Sequence, residues 1–307
     1  SDRISPFIRR KLYGEGVDPL VRQAFDVLAG WLVFKDGAAP SSLRGLVAPA
    51  FTAKAVASMR ERIRTLTVEL IAAAPRNTEF DLRAAVTMPL PSIVIAEMLG
   101  VPPDDRALFQ HWSELVAFVV SAGMDDPRRY EHAGQGMRAL VRYFQGLIVR
   151  YEKAPEDNLI SALIRARDES DSLSEAELIA TCTLILFGGH ETTANLIANG
   201  VLALLRHPQE LALLRDGAVE PQKAVEELLR YDGPGKAVVR LVREDMEFGG
   251  QRMTAGQRVF LVLASANHDP QAFTDPDRLD LRREQVKHLA FAIGGHICMG
   301  APLARLE

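Results

Sequence analysis

The 307 residues predict a mainly α-helical fold, one large helical domain built around a long central helix, with small β-sheets late in the chain. Three observations predict it. Apolar residues recur at helical period through most of the sequence. One such run, near 175–206, would form a helix of about 45 Å at 1.5 Å per residue. It is apolar on most sides, as a helix threading a core must be. Alternation replaces the helical period only between about 246 and 264, where paired glycines supply turns.

Taken in order, helix-period runs lie near 20–29, 41–48, 53–73, 88–99, 104–122, 128–153 and 157–168. Pro75, Pro102-Pro103 and Pro127 punctuate them. Ser174 and Glu177 have the spacing of a capping box at the start of the long helix. His207-Pro208 closes it, because the residue before a proline avoids helical backbone angles. Gly188-Gly189 stands in its middle. Each glycine weakens a helix by about 1 kcal/mol relative to alanine, so the pair predicts a kink or the close approach of something flat. A further helix covers about 219–230 and stops before Gly233-Pro234. Met246–Phe248, Gln251–Met253 and Val259–Ala264 read as short strands, joined through Gly249-Gly250 and Ala255-Gly256. An Asp- and Pro-rich meander, 268–282, leads into an apolar, glycine-rich loop at 289–300.

Composition narrows the class. The chain is 48% hydrophobic and 25% charged, with a net charge of −4, ordinary values for a globular domain. That charge is too small to attract nucleic acid or a membrane surface by its field. No run of 18 apolar residues offers a membrane span, and residues 1–30 lack the apolar core of a signal peptide. Cys182 and Cys298 are the only cysteines. Neither a disulfide framework nor a Cys-x-x-Cys zinc knuckle can be built from them, and a reducing cytoplasm is the expected location.

The loop Phe291-Ala-Ile-Gly294-Gly295-His296-Ile-Cys298-Met-Gly300 carries the strongest chemical signal. Its glycines free the backbone for tight turns and close approach. Cys298 lies among them between Ile297 and Met299, where a thiolate finds backbone N–H donors and dry neighbours, an environment for a metal ligand. These residues resemble the Phe-x-x-Gly-x-His-x-Cys-x-Gly signature of the cytochrome P-450 family. Gly188-Gly189-His190-Glu191-Thr192-Thr193 resembles that family's oxygen-activation motif, Glu227-Leu-Leu-Arg230 its Glu-x-x-Arg motif, and Pro276-Asp-Arg278-Leu279 its meander motif. All four occur in the family's order, and the resemblance runs from about Ser1 to Glu307.

The resemblance implies a haem-thiolate monooxygenase that takes haem b (iron protoporphyrin IX) as cofactor and Cys298 as the iron ligand. It gives His296, Arg240 and Arg44 the haem propionates. It places Gly188, Gly189, Phe291, Gly294 and Gly300 against the cofactor. Glu227, Arg230 and Arg278 form an ion network behind the loop, and Glu191 and Thr192 an acid–alcohol pair that brings protons to the oxygen site. Leu184, Phe187, Gly188, Ala237, Val238 and Val239 line the substrate side; all are uncharged, which suits a small, apolar organic molecule. No Gly-x-Gly-x-x-Gly follows a strand, so no nicotinamide or flavin fingerprint is present. A ferredoxin or flavodoxin is the expected electron donor, docking near Arg44, Lys54, Arg60, Arg62 and Arg64.

Several positions depart from the family pattern. Pro40 stands four residues before Arg44, where a histidine is usual. Ala292 replaces a common glycine, and His268 a common arginine. The family's N-terminal sheet and its C-terminal strands would lie outside residues 1–307, so the expectation is a single catalytic domain incomplete at both ends. Two other functions compete. A haem-thiolate peroxygenase or isomerase needs no proton relay, which Glu191-Thr192 argues against. A non-catalytic haem-binding partner protein is the second. Position 194 is alanine, so His190-Glu191 does not continue into the His-Glu-x-x-His zinc motif.

Overall fold

A computed structural model describes residues 18–35, 38–120, 126–170, 173–284 and 286–307, and helices dominate it. In chain order they are α1 (Pro19–Gly30), α2 (Ala38–Val47), α3 (Ala53–Ser58), α4 (Arg60–Ala73), α5 (Pro89–Leu99), α6 (Arg106–Val120), α7 (Arg129–Lys153), α8 (Leu159–Ser170), α9 (Glu175–Arg206), α10 (Pro208–Arg215) and α11 (Pro221–Asp232). Strands β1 (Val238–Leu241), β2 (Met246–Phe248), β3 (Gln251–Met253) and β4 (Arg258–Leu261) follow, then short helices α12 (Leu263–Ala266) and α13 (Ala301–Leu306). Among the described residues, no helix is long and apolar enough to cross a membrane.

The chain divides into two compact units. The first comprises the chain up to Ala55 together with Ser92–His190. Here α1 and α6 both pack on α7, and α2 packs on α8. Trp31, 1% exposed, anchors the chain after α1. Its indole N–H donates to the Thr183 hydroxyl at 2.9 Å, and its ring lies 5.2 Å from that of Phe187. A buried indole N–H needs such a partner, since leaving it unpaired costs about 1–3 kcal/mol. The second unit comprises Val56–Pro91 and Glu191 onward. Its core gathers Ala203, Leu204, Val219, Ala224, Leu279 and Leu281. The unit also carries two antiparallel ribbons, β1 with β4 in the register Val238↔Leu261 and β2 with β3 in the register Met246↔Met253.

The central helix α9 belongs to both units and spans the predicted run from end to end. Its capping box is formed: Ser174 Oγ accepts the Glu177 N–H at 3.2 Å, and the Glu177 carboxylate accepts the Ser174 N–H at 3.1 Å. The helix passes through Gly188-Gly189 without a break.

Other elements depart from expectation. The run 53–73 breaks at Met59, whose N–H bonds to the Val56 carbonyl three residues back and tightens the turn. A five-residue π turn, Arg83–Thr87, precedes α5 unannounced. Pro208 ends α9 and also opens α10, because proline suits the first helical position as well as it forbids the interior. The strand expected at Val259–Ala264 stops at Leu261, and Leu263 starts a helical turn. β1 was not foreseen at all; its signal is a partner strand 17 to 23 residues away, which no local period carries. The end of the run 104–122, residues 121 and 122, lies outside the described residues.

Candidate functional site

The best-defined part of the site is ionic and wholly buried. Glu227 and Arg230, on one face of α11, are 0% and 1% exposed. Arg230 grips the carboxylate with two parallel bonds, Nε to Oε2 and Nη2 to Oε1, both 2.8 Å. Its remaining donors reach the carbonyls of Asn267 (2.9 Å), Pro276 (2.7 Å) and Arg278 (3.1 Å). A buried pair is tolerated only when every donor and lone pair is matched in this way. The structure corrects the third member of the network. Arg278 is exposed and contributes only its carbonyl. The side chain that joins Glu227 is Arg283, with Nε 3.1 Å from Oε2. The meander turns through Asp275, at φ 45°.

The network reaches the cysteine loop through a residue the sequence did not single out. Asn267 is 3% exposed. Its carbonyl is held by Arg230, and its side-chain Oδ1 accepts the Leu289 N–H at 2.7 Å. The loop then turns tightly. Ala292 N–H bonds to the Leu289 carbonyl at 2.8 Å, and Ile297 N–H to the Gly294 carbonyl at 3.0 Å. Gly294 has φ +76°, a region glycine enters freely. Ala292 has φ +55°, where a side chain costs about 1–2 kcal/mol. The position at which this sequence departs from the family's glycine is therefore one where glycine is the unstrained residue. The Phe291 carbonyl accepts the Cys298 N–H at 3.0 Å, and the cysteine is presented at the surface of its unit.

The two cysteines sit in opposite environments. Cys182 is 0% exposed inside α9, and burial pushes its thiol up, out of thiolate chemistry. Cys298 is exposed, and beside it Ile293 and Ile297 are 69% and 47% exposed. Apolar side chains held open around a surface thiol fit a flat apolar group ligated by that sulfur. The same unit supplies donors suited to the acidic edge of such a group: His296, half-buried in the loop, and Arg240 on β1, whose Nη1 donates to the Val239 carbonyl at 2.9 Å. The residues present thus fit haem. Arg44 is half-buried on α2, in the other unit; the side chain of Pro40 lies outside the described residues.

On α9 the glycines and threonines separate into pairs of unlike members. A side chain added at Gly188 would meet nothing within 4 Å, whereas one at Gly189 would lie 2.4 Å from Ile95 Cδ1. Gly189 is therefore accounted for by protein packing, and Gly188 is the one that leaves room for a ligand. His190 is buried, with Nδ1 2.8 Å from the Leu186 carbonyl. Thr192 is exposed and Glu191 half-buried, while Thr193 is 4% exposed, so Thr192 is the threonine whose hydroxyl is presented. Of the expected substrate lining, Leu184 and Phe187 are half-buried in the first unit, and Phe187 already packs on Trp31. Ala237 and Val239 are exposed and Val238 half-buried in the second.

Comparison with known proteins identifies the family. The family model described as cytochrome P450 matches residues 8–216 and 222–307. Cytochrome P450 CYP107DY1 of Priestia megaterium is 42% identical over 265 residues, 86% of this chain and 64% of that protein. Cytochrome P450 monooxygenase PikC of Streptomyces venezuelae is 43% identical over 270 residues, 86% of this chain and 63% of its own length. The chain thus spans slightly less than two thirds of these relatives. Among solved structures, P450BioI in complex with a hexadec-9Z-enoic acid ligated acyl carrier protein superposes with a TM-score of 0.88 at 32% identity, covering 97% of this chain and 77% of that one.

Proposed function

The chain belongs to the cytochrome P450 family, and on that premise we propose that it serves as a haem-thiolate monooxygenase, inserting one oxygen atom from O₂ into a small, largely apolar organic molecule. The family binds haem b through a cysteine thiolate, and haem held in this way supplies the oxygen chemistry. The observation that carries the reading is Cys298, an exposed thiol flanked by exposed Ile293 and Ile297, on a loop tied to a buried ion network.

Each residue then has a task. Cys298, as thiolate, would hold the haem iron. His296, Arg240 and Arg44 donate hydrogen bonds to the propionates, where charge-assisted bonds are strongest. Phe291, Gly294 and Gly300 shape the loop, and Gly188 keeps the helix backbone low. Thr192 Oγ holds and passes a proton on the exposed side of α9, and Glu191 beside it restores that proton from solvent. Leu184, Phe187, Ala237, Val238 and Val239 offer the substrate no charge, which favours an apolar body. A relative named 6-deoxyerythronolide B hydroxylase, 38% identical, supports hydroxylation as the reaction type. The single catalytic domain, the cytoplasmic location and a small acidic ferredoxin or flavodoxin as donor belong to the same proposal.

The test is spectroscopic and then stoichiometric. Cys298→Ala should abolish the thiolate-type carbon monoxide band of the reduced haem protein. Thr192→Ala should keep that band and haem content but cut product formed per electron consumed by roughly 100-fold, a magnitude typical of a lost proton donor. A thiolate band surviving in the first variant removes the ligand assignment. An unchanged yield in the second removes the relay and favours a peroxygenase or isomerase.

A further inference from the structure

A second ionic cluster lies behind the cysteine loop, and the ion network just described does not include it. Glu226 precedes Glu227 on α11, so its side chain leaves the helix about 100° away. It meets two partners from opposite ends of the loop. His288, before the cysteine, places Nε2 3.1 Å from Glu226 Oε2. Arg305 of α13, after the cysteine, donates Nη2 to the same oxygen at 3.0 Å and Nε to Oε1. The His288 side chain is 3% exposed, and its Nδ1 accepts the Ala290 N–H at 3.1 Å. That bond assigns the ring proton to Nε2, which donates to Glu226.

Arg305 and His288 also both pack on Phe291. The Arg305 guanidinium carbon lies 4.6 Å from the centre of its ring, and the His288 ring centre 5.9 Å away. Phe291 is the residue whose carbonyl accepts the Cys298 N–H at 3.0 Å. A connected path therefore runs from Glu226 through Arg305 and His288 to the Phe291 ring, and from the Phe291 carbonyl to the cysteine backbone. It joins α11 to the loop on both sides of Cys298.

We propose that Glu226, His288 and Arg305 are positioning residues for Cys298, a clamp that holds the Phe291 carbonyl under the Cys298 N–H and so sets the direction in which the sulfur is presented. The proposal rests on the reading of Cys298 as the iron ligand. It differs from a purely structural buttress in what it controls: the sulfur's geometry toward the metal, and only secondarily the stability of the unit. Partners that orient a metal ligand commonly carry a 10- to 100-fold effect on metal retention.

The experiment uses the full-length haem-loaded protein. Glu226→Ala, His288→Phe and Arg305→Ala should each speed haem transfer to an acceptor apoprotein by about tenfold or more. They should also raise the share of the carbon monoxide complex that lacks the thiolate band. Arg305→Lys, which keeps the charge but loses the fork and the flat face over Phe291, should fold normally and fall between wild type and Arg305→Ala. Leu204→Ala, in the core of the same unit, supplies the control: it should lower the melting temperature yet leave both haem transfer and spectrum at wild-type values. Clamp variants, Arg305→Lys included, with wild-type haem transfer and spectrum would overturn the proposal, as would the same changes in Leu204→Ala. Cys298→Ser separates the two levels. If it keeps the thiolate band, the ligand assignment itself fails; if it loses the band while the clamp variants keep it, only the clamp fails.

Discussion

At the scale of single residues, adjacent positions were put to different uses by the direction of their side chains. Glu227 is sealed in the interior, whereas Glu226 is half-buried and reads out its surroundings as acidity. Burial alone would raise the Glu226 carboxyl; the hydrogen bonds from His288 and Arg305 outweigh it and hold the group at about 2, against an ordinary 4.5. A carboxyl whose folded value is depressed stabilises the fold above its unfolded value and loses that contribution as pH falls toward its folded value. Glu226 should therefore contribute fully above about pH 4.5 and progressively less down to about pH 2. With Arg305 partly exposed, solvent screening reduces the contribution to about 1–2 kcal/mol. Glu226→Gln should accordingly be less stable than wild type by that amount at pH 6 in chemical unfolding, with the gap narrowing at pH 3. A gap that does not change with pH would remove the linkage.

At the scale of elements, the long helix shows how one sequence feature conceals two structural causes. Both glycines at its centre were expected to admit a flat ligand, yet Gly189 is explained by Ile95 of α5, which is itself 1% exposed. The two alanine variants should then diverge. Gly188→Ala meets nothing within 4 Å and should stabilise the cofactor-free chain by about 1 kcal/mol through helix propensity. Gly189→Ala should destabilise it, because overpacking a filled core costs about 1–3 kcal/mol and exceeds that gain. Thermal unfolding of the two variants, and of Gly189→Ala combined with Ile95→Val, checks this; equal shifts at 188 and 189 would refute the packing account. Helices were legible because each buries a stripe and the stripe repeats within the element. β1 was not, since Val238–Leu241 becomes a strand only by pairing with Arg258–Leu261, and α10 hid behind a proline that both stops and starts a helix. Near the cysteine, Gly294 announced its turn, while Arg305 and His288 lie 79 and 62 residues from the Glu226 that joins them and left no local mark.

At the scale of the whole molecule, the net charge of −4 masks a local excess of positive charge. Arg60, Arg62 and Arg64 are all exposed on the first turns of α4, and Lys54 is exposed on α3. Arg44 is only half-buried on α2. For the acidic electron donor proposed above, the arginines of α4 would steer the encounter more than they tighten the complex. Reversing Arg60 and Arg62 to glutamate should slow reduction by the donor while substrate binding stays unchanged. The deficit should shrink as salt rises, since the screening length falls to about 3 Å at 1 M. Reduction insensitive to both the reversals and the salt would move the docking face elsewhere.

What the sequence determined by itself was everything that repeats or is spelled out locally: the helical class, the extent of α9 and its capping box, the two glycine-turned strands at 246–253, and the cysteine loop with its family. Those features depend on periods and on residue types whose chemistry acts within a few positions. Tertiary structure alone decided which side chain of a local group faces inward. It chose Arg283 over Arg278 at Glu227 and Gly188 over Gly189 as the open glycine. It also joined Glu226 to both sides of the cysteine loop. Each of those choices is set by the direction of a side chain against a neighbour distant in the chain, and a direction of that kind exists only once the chain has folded.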